Sequence, residues 1–345
     1  MYLEQGFNND PDGYCITIIL PCRDEEECIE RCLDSIIANE FPKERLEILV
    51  LDGMSEDLTR EIVAGYVDKF DFIKMLDNPG RTQQIASNLA MKYANGDLII
   101  RMDAHCTYAK NYISQCVHYL TETGADCVGG RLVTKPREET LRGKAIAVGM
   151  SEPFGVGPSR FRVTGETENK IPIWVDTVPF GCYRREVFDK VGLYREDIPF
   201  SEDMEFHKRM REKGCRILFV PTIISHYYAR SSLGPFLRHT LRNGVWAILP
   251  TKFTGRLVVR PMHLVPLAFV GSLVGFGAIS LIWSILLVPV LGISGVYILA
   301  NICVSAKLAL REREPGYLVV LPIVFCILHV AYGLGSIFGL VQVII

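Results

Sequence analysis

Leu98-Ile99-Ile100-Arg101-Met102-Asp103-Ala104-His105-Cys106 is the stretch on which the fold turns. Three apolar residues run into a short polar cluster, the pattern of a buried parallel strand that surfaces at the edge of its sheet. Side chains two apart on a strand point the same way, so Asp103 and His105 are expected side by side beyond the strand's carboxyl end. A carboxylate oxygen beside an imidazole nitrogen makes half a site for a divalent transition metal. That mixed donor set suits Mn²⁺ better than the all-oxygen shell of Mg²⁺. A surface turn with two polar residues reads the same way locally, and the flanking sequence decides between them.

Upstream, Cys15 to Leu20 reads as a first buried strand stopped by Pro21. Arg23-Asp24-Glu25-Glu26 follows, then a helical pattern through Ile29, Cys32, Leu33, Ile36 and Ile37. Leu46 to Leu51 is a second strand ending in Asp52-Gly53-Met54-Ser55-Glu56-Asp57-Leu58-Thr59. Phe72 to Leu76 is a third, and Asn78-Pro79-Gly80-Arg81 turns from it into a helix over Ile85, Leu89 and Ala90. Strands alternating with helices at this spacing imply βαβ units and a right-handed, mostly parallel sheet. Neither a glycine-rich dinucleotide fingerprint nor a P-loop is present.

The chain has 345 residues, is 49% hydrophobic, and carries a net charge of −2. Near-neutral charge argues against nucleic acid as a partner. The 11 cysteines show neither paired nor zinc-ligand spacing, as expected of thiols in a reducing compartment. Met1 to Gly13 is polar and acidic, unlike a signal peptide, so the soluble part is expected in the cytosol.

Ile18 to Glu25, Asp52 to Thr59 and Arg101 to His105, in this order, resemble the family 2 glycosyltransferases with the GT-A fold. Within them the chain is most similar to the membrane-anchored transferases of succinoglycan and related exopolysaccharide biosynthesis, over roughly residues 14 to 250. Most members carry Asp-x-Asp where this chain has Asp103-Ala104-His105, although the exopolysaccharide branch has the His. The usual Asp-Gly-Ser turn is Asp52-Gly53-Met54-Ser55 here, shifted by one residue.

The resemblance gives the strand ends roles as a nucleotide-sugar site of Pro21, Arg23, Glu25, Asp52, Arg81 and Asp103. Asp52 can accept from a uracil N–H or a ribose hydroxyl, and Glu25 from the ribose. Arg81, on its Pro-Gly turn, can meet the base or the diphosphate. Asp52 and Glu25 also suit turn formation and capping. Asp103 and His105 are the metal ligands implied, with Mn²⁺ or Mg²⁺ as cofactor. His226 is either a further ligand or a stacking residue.

Downstream, Val128-Gly129-Gly130-Arg131 reads as a strand, and residues 135 to 175 as a mobile loop folding over donor and acceptor. Phe180 to Phe188 starts a helix ending near Gly192 and resembles the acceptor-side segment of the family, with Gly181 in it. Pro199 to Gly214 reads as a helix with Ser201 as N-cap and Gly214 as its stop. Asp203, in its first turn, is placed where the helix dipole favours an ionised carboxylate. The Glu202-Asp203 pair resembles the family's catalytic-base motif, which makes Asp203 the general base and Glu202 an acceptor-side neighbour.

Leu237 to Trp246 looks like a basic, amphipathic helix at a membrane surface, with Arg238, Arg242 and Trp246 towards the acceptor. Processive synthases carry Gln-x-x-Arg-Trp here, whereas this chain has His239-x-x-Arg242-Asn243, which argues against a polymerase. Met262 to Ser305 is uncharged and long enough for two spans, and Tyr317 to Ile345 for a third. Lys252, Arg256, Arg260, Lys307, Arg311 and Arg313 belong inside by the positive-inside rule, which leaves the C-terminus outside.

The expected architecture is therefore α/β, a GT-A nucleotide-diphospho-sugar transferase fold with a mostly parallel sheet flanked by helices, plus C-terminal transmembrane α-helices. Its parts are a tail (1–13), a cytosolic transferase domain (14–235), an interfacial segment (236–261) and a membrane domain (262–345) with helices near 263–283, 286–306 and 317–341. The expected activity is inverting transfer from a nucleotide-diphospho-sugar, UDP-linked by preference, to a lipid-linked saccharide at the inner leaflet of the cell membrane. A polyprenyl-phosphate sugar synthase and a non-catalytic nucleotide-sugar-binding anchor are the alternatives.

Overall fold

The computed structural model describes residues 13–162 and 171–345; most of the expected N-terminal tail and part of the expected loop lie outside them. Its backbone divides into two compact units, Met1–Val133 with Gly165–Tyr227, and Thr134–Thr164 with Tyr228–Ile345.

The first unit is built on a sheet of order β3-β2-β1-β4-β8-β6-β9-β5. The strands are β1 (Ile16–Cys22), β2 (Leu46–Asp52), β3 (Ile73–Asp77), β4 (Leu98–Arg101), β5 (Cys106–Tyr108), β6 (Cys127–Pro136), β7 (Ile173–Val175), β8 (Cys182–Arg184) and β9 (Ile217–Ala229). The four strands read from the apolar runs pair in parallel. Pairing is antiparallel from β4 to β8, β8 to β6, β5 to β9 and β7 to β9, so the sheet is mixed. Every residue of β1 is buried, as a central strand covered on both faces requires.

Pro21 does not stop β1, which continues to Cys22. The register explains this: β4 pairs with β1 only from Ile16 to Ile19, so Pro21 has a ladder only on the β2 side. Of the helices between the strands, α1 (Ile29–Ile37) packs on β5, α2 (Thr59–Val67) on β3 and α3 (Gln83–Ala90) on β1 and β2, and α4 (Tyr112–Thr123) follows β5. In α1, Ile29, Cys32, Leu33 and Ile36 are buried at the i, i+3, i+4, i+7 spacing of one helix face.

Part of the stretch expected as a mobile loop is helical, with α5 (Leu141–Gly149) and α6 (Pro153–Val156). Thr140 caps α5 by accepting from the Gly143 N–H at 3.1 Å. Farther on are α7 (Glu186–Val191) and α8 (Glu202–Glu212). Gly214 ends α8 with φ +77, and the Cys215 N–H reaches the Met210 carbonyl at 2.9 Å, as a glycine-terminated helix does. Ser201 makes no cap; its own φ is +63 and its side chain bonds no helical N–H.

The second unit adds α9 (Leu233–Ile248), α10 (Pro250–Thr254), α11 (Val265–Ser280), α12 (Leu287–Glu312), α13 (Tyr317–Cys326) and α14 (Tyr332–Ile344). A π-helical turn, Ile327–Ala331, joins the last two. Among the described residues three stretches are long and apolar enough to cross a membrane: Pro261–Ser280, Ser284–Glu312 and Tyr317–Ile344.

Candidate active site

The loops after β1 and β2 are laced together. The Asp24 N–H donates to Ser55 Oγ at 3.0 Å and the Glu56 N–H returns to Asp24 Oδ1 at 2.9 Å. The Glu26 N–H donates to Asp57 and the Leu58 N–H to Glu26, each at 3.0 Å, while the Glu25 N–H donates to Thr59 Oγ1 at 2.8 Å. Reciprocal bonds of this kind leave neither loop free to move alone.

Five of the six non-glycine residues with left-handed backbone among the described residues follow the same geography, the sixth being Arg313 at the end of α12. Asp24, Met54 and Arg81 lie just past β1, β2 and β3, Phe180 just before β8, and Ser201 just before α8. Each such residue costs roughly 1–3 kcal/mol, and such outliers gather at functional sites.

Between these loops is a crevice of about 120 Å³. Pro21, Arg23, Glu25, Arg81 and His105 line it, together with Cys22, Gly53, Asn78, Thr82 and Gln83, whereas Asp52 and Asp103 do not. Asn78 Oδ1 and Thr82 Oγ1 are buried without a hydrogen-bond partner in the protein. Buried polar atoms are normally satisfied, so this pair beside a polar crevice is left for a water or a ligand to partner.

Asp103 and His105 do not stand on a strand. β4 ends at Arg101, and a turn closed by the Cys106 N–H on the Asp103 carbonyl (3.2 Å) carries both. His105 Nδ1 lies 3.0 Å from Glu25 Oε1. A carboxylate only accepts, so Nδ1 is the donor, which in the neutral ring leaves the Nε2 lone pair for a ligand. A histidine held this way by a carboxylate is the arrangement metal sites use, and it gives Glu25 a role behind the ligand. An Asp103 oxygen and His105 Nε2 are donors of the kind a divalent transition metal takes, though of the two only His105 lines the crevice.

His226 does not join them. On β9 it is Tyr227 that meets His105, ring centroids 5.2 Å apart, and strand alternation turns His226 to the other face. Among the described residues no group of three or more His, Cys, Asp or Glu is placed to hold a metal ion.

Asp52 is fully buried and does not line the crevice. Its carboxylate accepts from the Ser55 hydroxyl and N–H and from Arg60, which also bridges to Asp77 at 2.8 Å. The extra residue in Asp52-Gly53-Met54-Ser55 thus lets Ser55 fold back on Asp52. Gly181 is buried as well, with Cys127 Sγ and Tyr183 where a Cβ would go, so its smallness serves packing.

Arg101 is the residue that sequence reasoning missed. Its Nη2 donates to Gln83 Oε1 at 2.6 Å and lies 3.0 Å from Glu202 Oε1 and 3.4 Å from Asp103 Oδ1. One largely buried guanidinium therefore joins the crevice wall, the metal motif and the start of α8. Two lone signals, an Arg closing a buried strand and an acid opening a helix, gave no hint of pairing across 101 residues of chain.

At the start of α8 the two acids differ. Asp203 is half-buried and accepts from the Met204 N–H at 2.8 Å. Glu202 is buried, and burial pushes its carboxyl up to about 7, with Asp203 adding to the push and Arg101 opposing it. An acid whose pKa is raised on folding contributes stability that is complete below its unfolded value and is lost as pH rises through its folded value. The parent protein should therefore lose stability between about pH 4.5 and 7 relative to Glu202→Gln, by a few kcal/mol at most. Parallel melting curves in detergent at pH 5 and pH 8 measure this; an unchanged difference between the two proteins would contradict it.

A mixed sheet that carries a polar crevice past the ends of its parallel strands, with a separate carboxylate-bearing helix, is the layout of the GT-A class of glycosyltransferases. The chain belongs to the glycosyl transferase family 2, whose sequence profile matches residues 17–192. It is 28% identical over 334 residues, 95% of this chain and 97% of the relative, to the dolichyl N-acetyl-α-D-glucosaminyl phosphate 3-β-D-2,3-diacetamido-2,3-dideoxy-β-D-glucuronosyltransferase of Methanococcus voltae. Succinoglycan biosynthesis protein ExoA of Rhizobium meliloti (strain 1021) is 29% identical over 336 residues, 92% of each chain. Among solved structures, mannosyltransferase PcManGT from Pyrobaculum calidifontis, in complex with GDP-Man and Mn²⁺, superposes with a TM-score of 0.60. At 16% identity, over 94% of this chain and 87% of that one, the likeness speaks for the fold alone.

Proposed function

We propose that this glycosyltransferase moves a sugar, with inversion, from a nucleotide-diphospho-sugar to a lipid-linked saccharide at the cytosolic leaflet of the cell membrane. The observation that carries the reading is the crevice at the strand ends with its orphaned Asn78 and Thr82 oxygens. The relatives support the acceptor class: one is named for a dolichyl-phosphate-linked acceptor and another for exopolysaccharide biosynthesis. A UDP-linked donor is the first to test.

In this reading Arg23 and Arg81 flank the diphosphate, and Asn78 and Thr82 meet the nucleoside. Asp103 and His105 would hold a divalent metal, Mn²⁺ by the softness of the imidazole, which when bound neutralises charge on the leaving diphosphate. Glu25 keeps His105 in the tautomer that ligates. Asp203 takes the proton of the acceptor hydroxyl as that oxygen attacks the anomeric carbon. Arg238, Arg242 and Trp246, on α9 of the second unit, are the candidate acceptor contacts; both arginines are exposed.

The purified full chain, with Mn²⁺, a polyprenyl-linked saccharide and a panel of UDP- and GDP-sugars, should release nucleotide diphosphate from at least one donor. Release from none would overturn the proposal. His105→Ala should abolish Mn²⁺ activation, and Glu25→Gln should weaken it about 10- to 100-fold. Mn²⁺ binding followed by electron paramagnetic resonance should fall in parallel. Unaltered binding in both variants would remove His105 from the metal site.

A further inference from the structure

The third apolar stretch differs from the other two in what surrounds it. Within the most apolar window of each, 6% of the first and of the second is buried, against 39% of the third. Along α13 it packs on α12, where the Asn301 amide donates to the Pro322 carbonyl at 3.1 Å and the Tyr297 hydroxyl lies 3.1 Å from His329 Nδ1, and at the start of α14 Gly333 sits against Pro266 and Val270 of α11. Its small residues and polar contacts name the other neighbours.

At its start, a Cβ on Gly316 would sit 2.6 Å from Leu141 of α5, and just before it Arg311 pairs with Glu152 at 3.4 Å. About two turns farther, Val324 lies where a Cβ of Gly149 would go, at 2.7 Å. At the π-helical turn, the His329 Nε2–H donates to the Phe154 carbonyl of α6 at 2.7 Å. Along α14, a Cβ on Gly335 would strike the Leu241 carbonyl of α9, and one on Gly339 would meet that of Val245 at 2.6 Å. At its far end Lys252 Nζ, on α10, donates to the Gln342 carbonyl at 2.8 Å.

Residues 141–156 and 233–254 both precede Pro261, where the first candidate span begins, so no crossing separates them and they share one side of the bilayer. They carry exposed cations, Arg142 on α5 and Arg238, Arg242 and Lys252 on α9 and α10, that hydrocarbon does not admit. A helix that crosses leaves one end about 30 Å from the side on which it started. Here the start, the middle and the end of one 28-residue stretch all touch elements of the same side.

We propose that the third stretch does not complete a crossing: α13 runs back beside the second half of α12, and α14 turns to lie with α9 along the leaflet that holds α5, α6, α9 and α10, so that the C-terminus is on the side of those elements. Two crossings, α11 and α12, replace the three expected from composition. The face of α14 turned from α9 fits this position. Leu334, Phe338, Val341 and Ile345, at the spacing of one helix face, are 46%, 57%, 44% and 90% exposed and would enter the acyl region from the headgroup boundary. The opposite face, Gly333, Gly335, Ser336 and Gly339, is buried. Small residues on one side and large apolar ones on the other let a long apolar helix be gripped by an amphipathic partner while facing lipid. The same contacts mean that α9, read from the sequence as an amphipathic helix at a membrane surface, is held there by α14.

The test places one protease-cleavable epitope before Met1 and another after Ile345 in the full chain, expressed in native membranes and isolated as sealed vesicles of one orientation. Added protease should cut both epitopes or spare both, together, in either orientation. Cleavage of one with protection of the other would show a third crossing and overturn the proposal. Neither epitope touches a packed residue, so the result does not depend on a variant that folds poorly.

Discussion

Asp203→Asn should lower kcat by about 10² to 10⁴ and leave nucleotide-sugar binding nearly unchanged. The two acids at the head of α8 are not equivalent: Glu202 is buried against Arg101, whereas Asp203 is half-buried and bonded only through one oxygen to its neighbour's N–H. Asn retains the shape and that hydrogen bond but cannot take up the acceptor's proton. Calorimetry with the donor nucleotide should give a dissociation constant within about threefold of the parent, which separates lost chemistry from lost structure. The same variant divides the two acceptor classes. A lipid phosphate is already ionised and needs no base, so full activity on a polyprenyl phosphate would favour the synthase alternative. Parent-like transfer to a saccharide hydroxyl would remove Asp203 from the chemistry.

Arg101→Met should be the most destabilising single change near the site. It strips the partner from a buried Glu202 and leaves Gln83 Oε1 without its 2.6 Å donor. Breaking a buried pair on one side commonly costs about 3 to 5 kcal/mol. Because Glu202 takes up a proton near pH 7, the loss should be larger at pH 8 than at pH 5. Arg101→Met combined with Glu202→Gln should recover much of it, since the double variant buries no unpaired charge. Melting temperatures of the four proteins at both pH values test this. Equal melting of Arg101→Met and the parent would show that the guanidinium holds nothing together. A stable double variant that still transfers poorly would place Arg101 among the residues that align Asp103 with α8.

The strands β1 to β4, the helices between them, the Gly214 stop of α8 and the three apolar stretches were legible in the chain, because each is written in a local period or a local composition. The order of motifs was enough to point to the family and to the loops that form the crevice. What became of the side chains was not legible. Asp52 turned inward onto Ser55 and Arg60, His105 found Glu25 eighty residues away, and Tyr227 rather than His226 reached the metal motif. Such pairings depend on which strands become neighbours and in which register, and no local period records that. The last helix makes the same point at larger scale. Apolar length and flanking charge are those of a membrane crossing, and only the contacts at Leu141, Phe154, Leu241 and Lys252 show what the helix lies against. Composition decides that a helix prefers lipid to water; the partners it packs on decide at what depth and in which direction it runs.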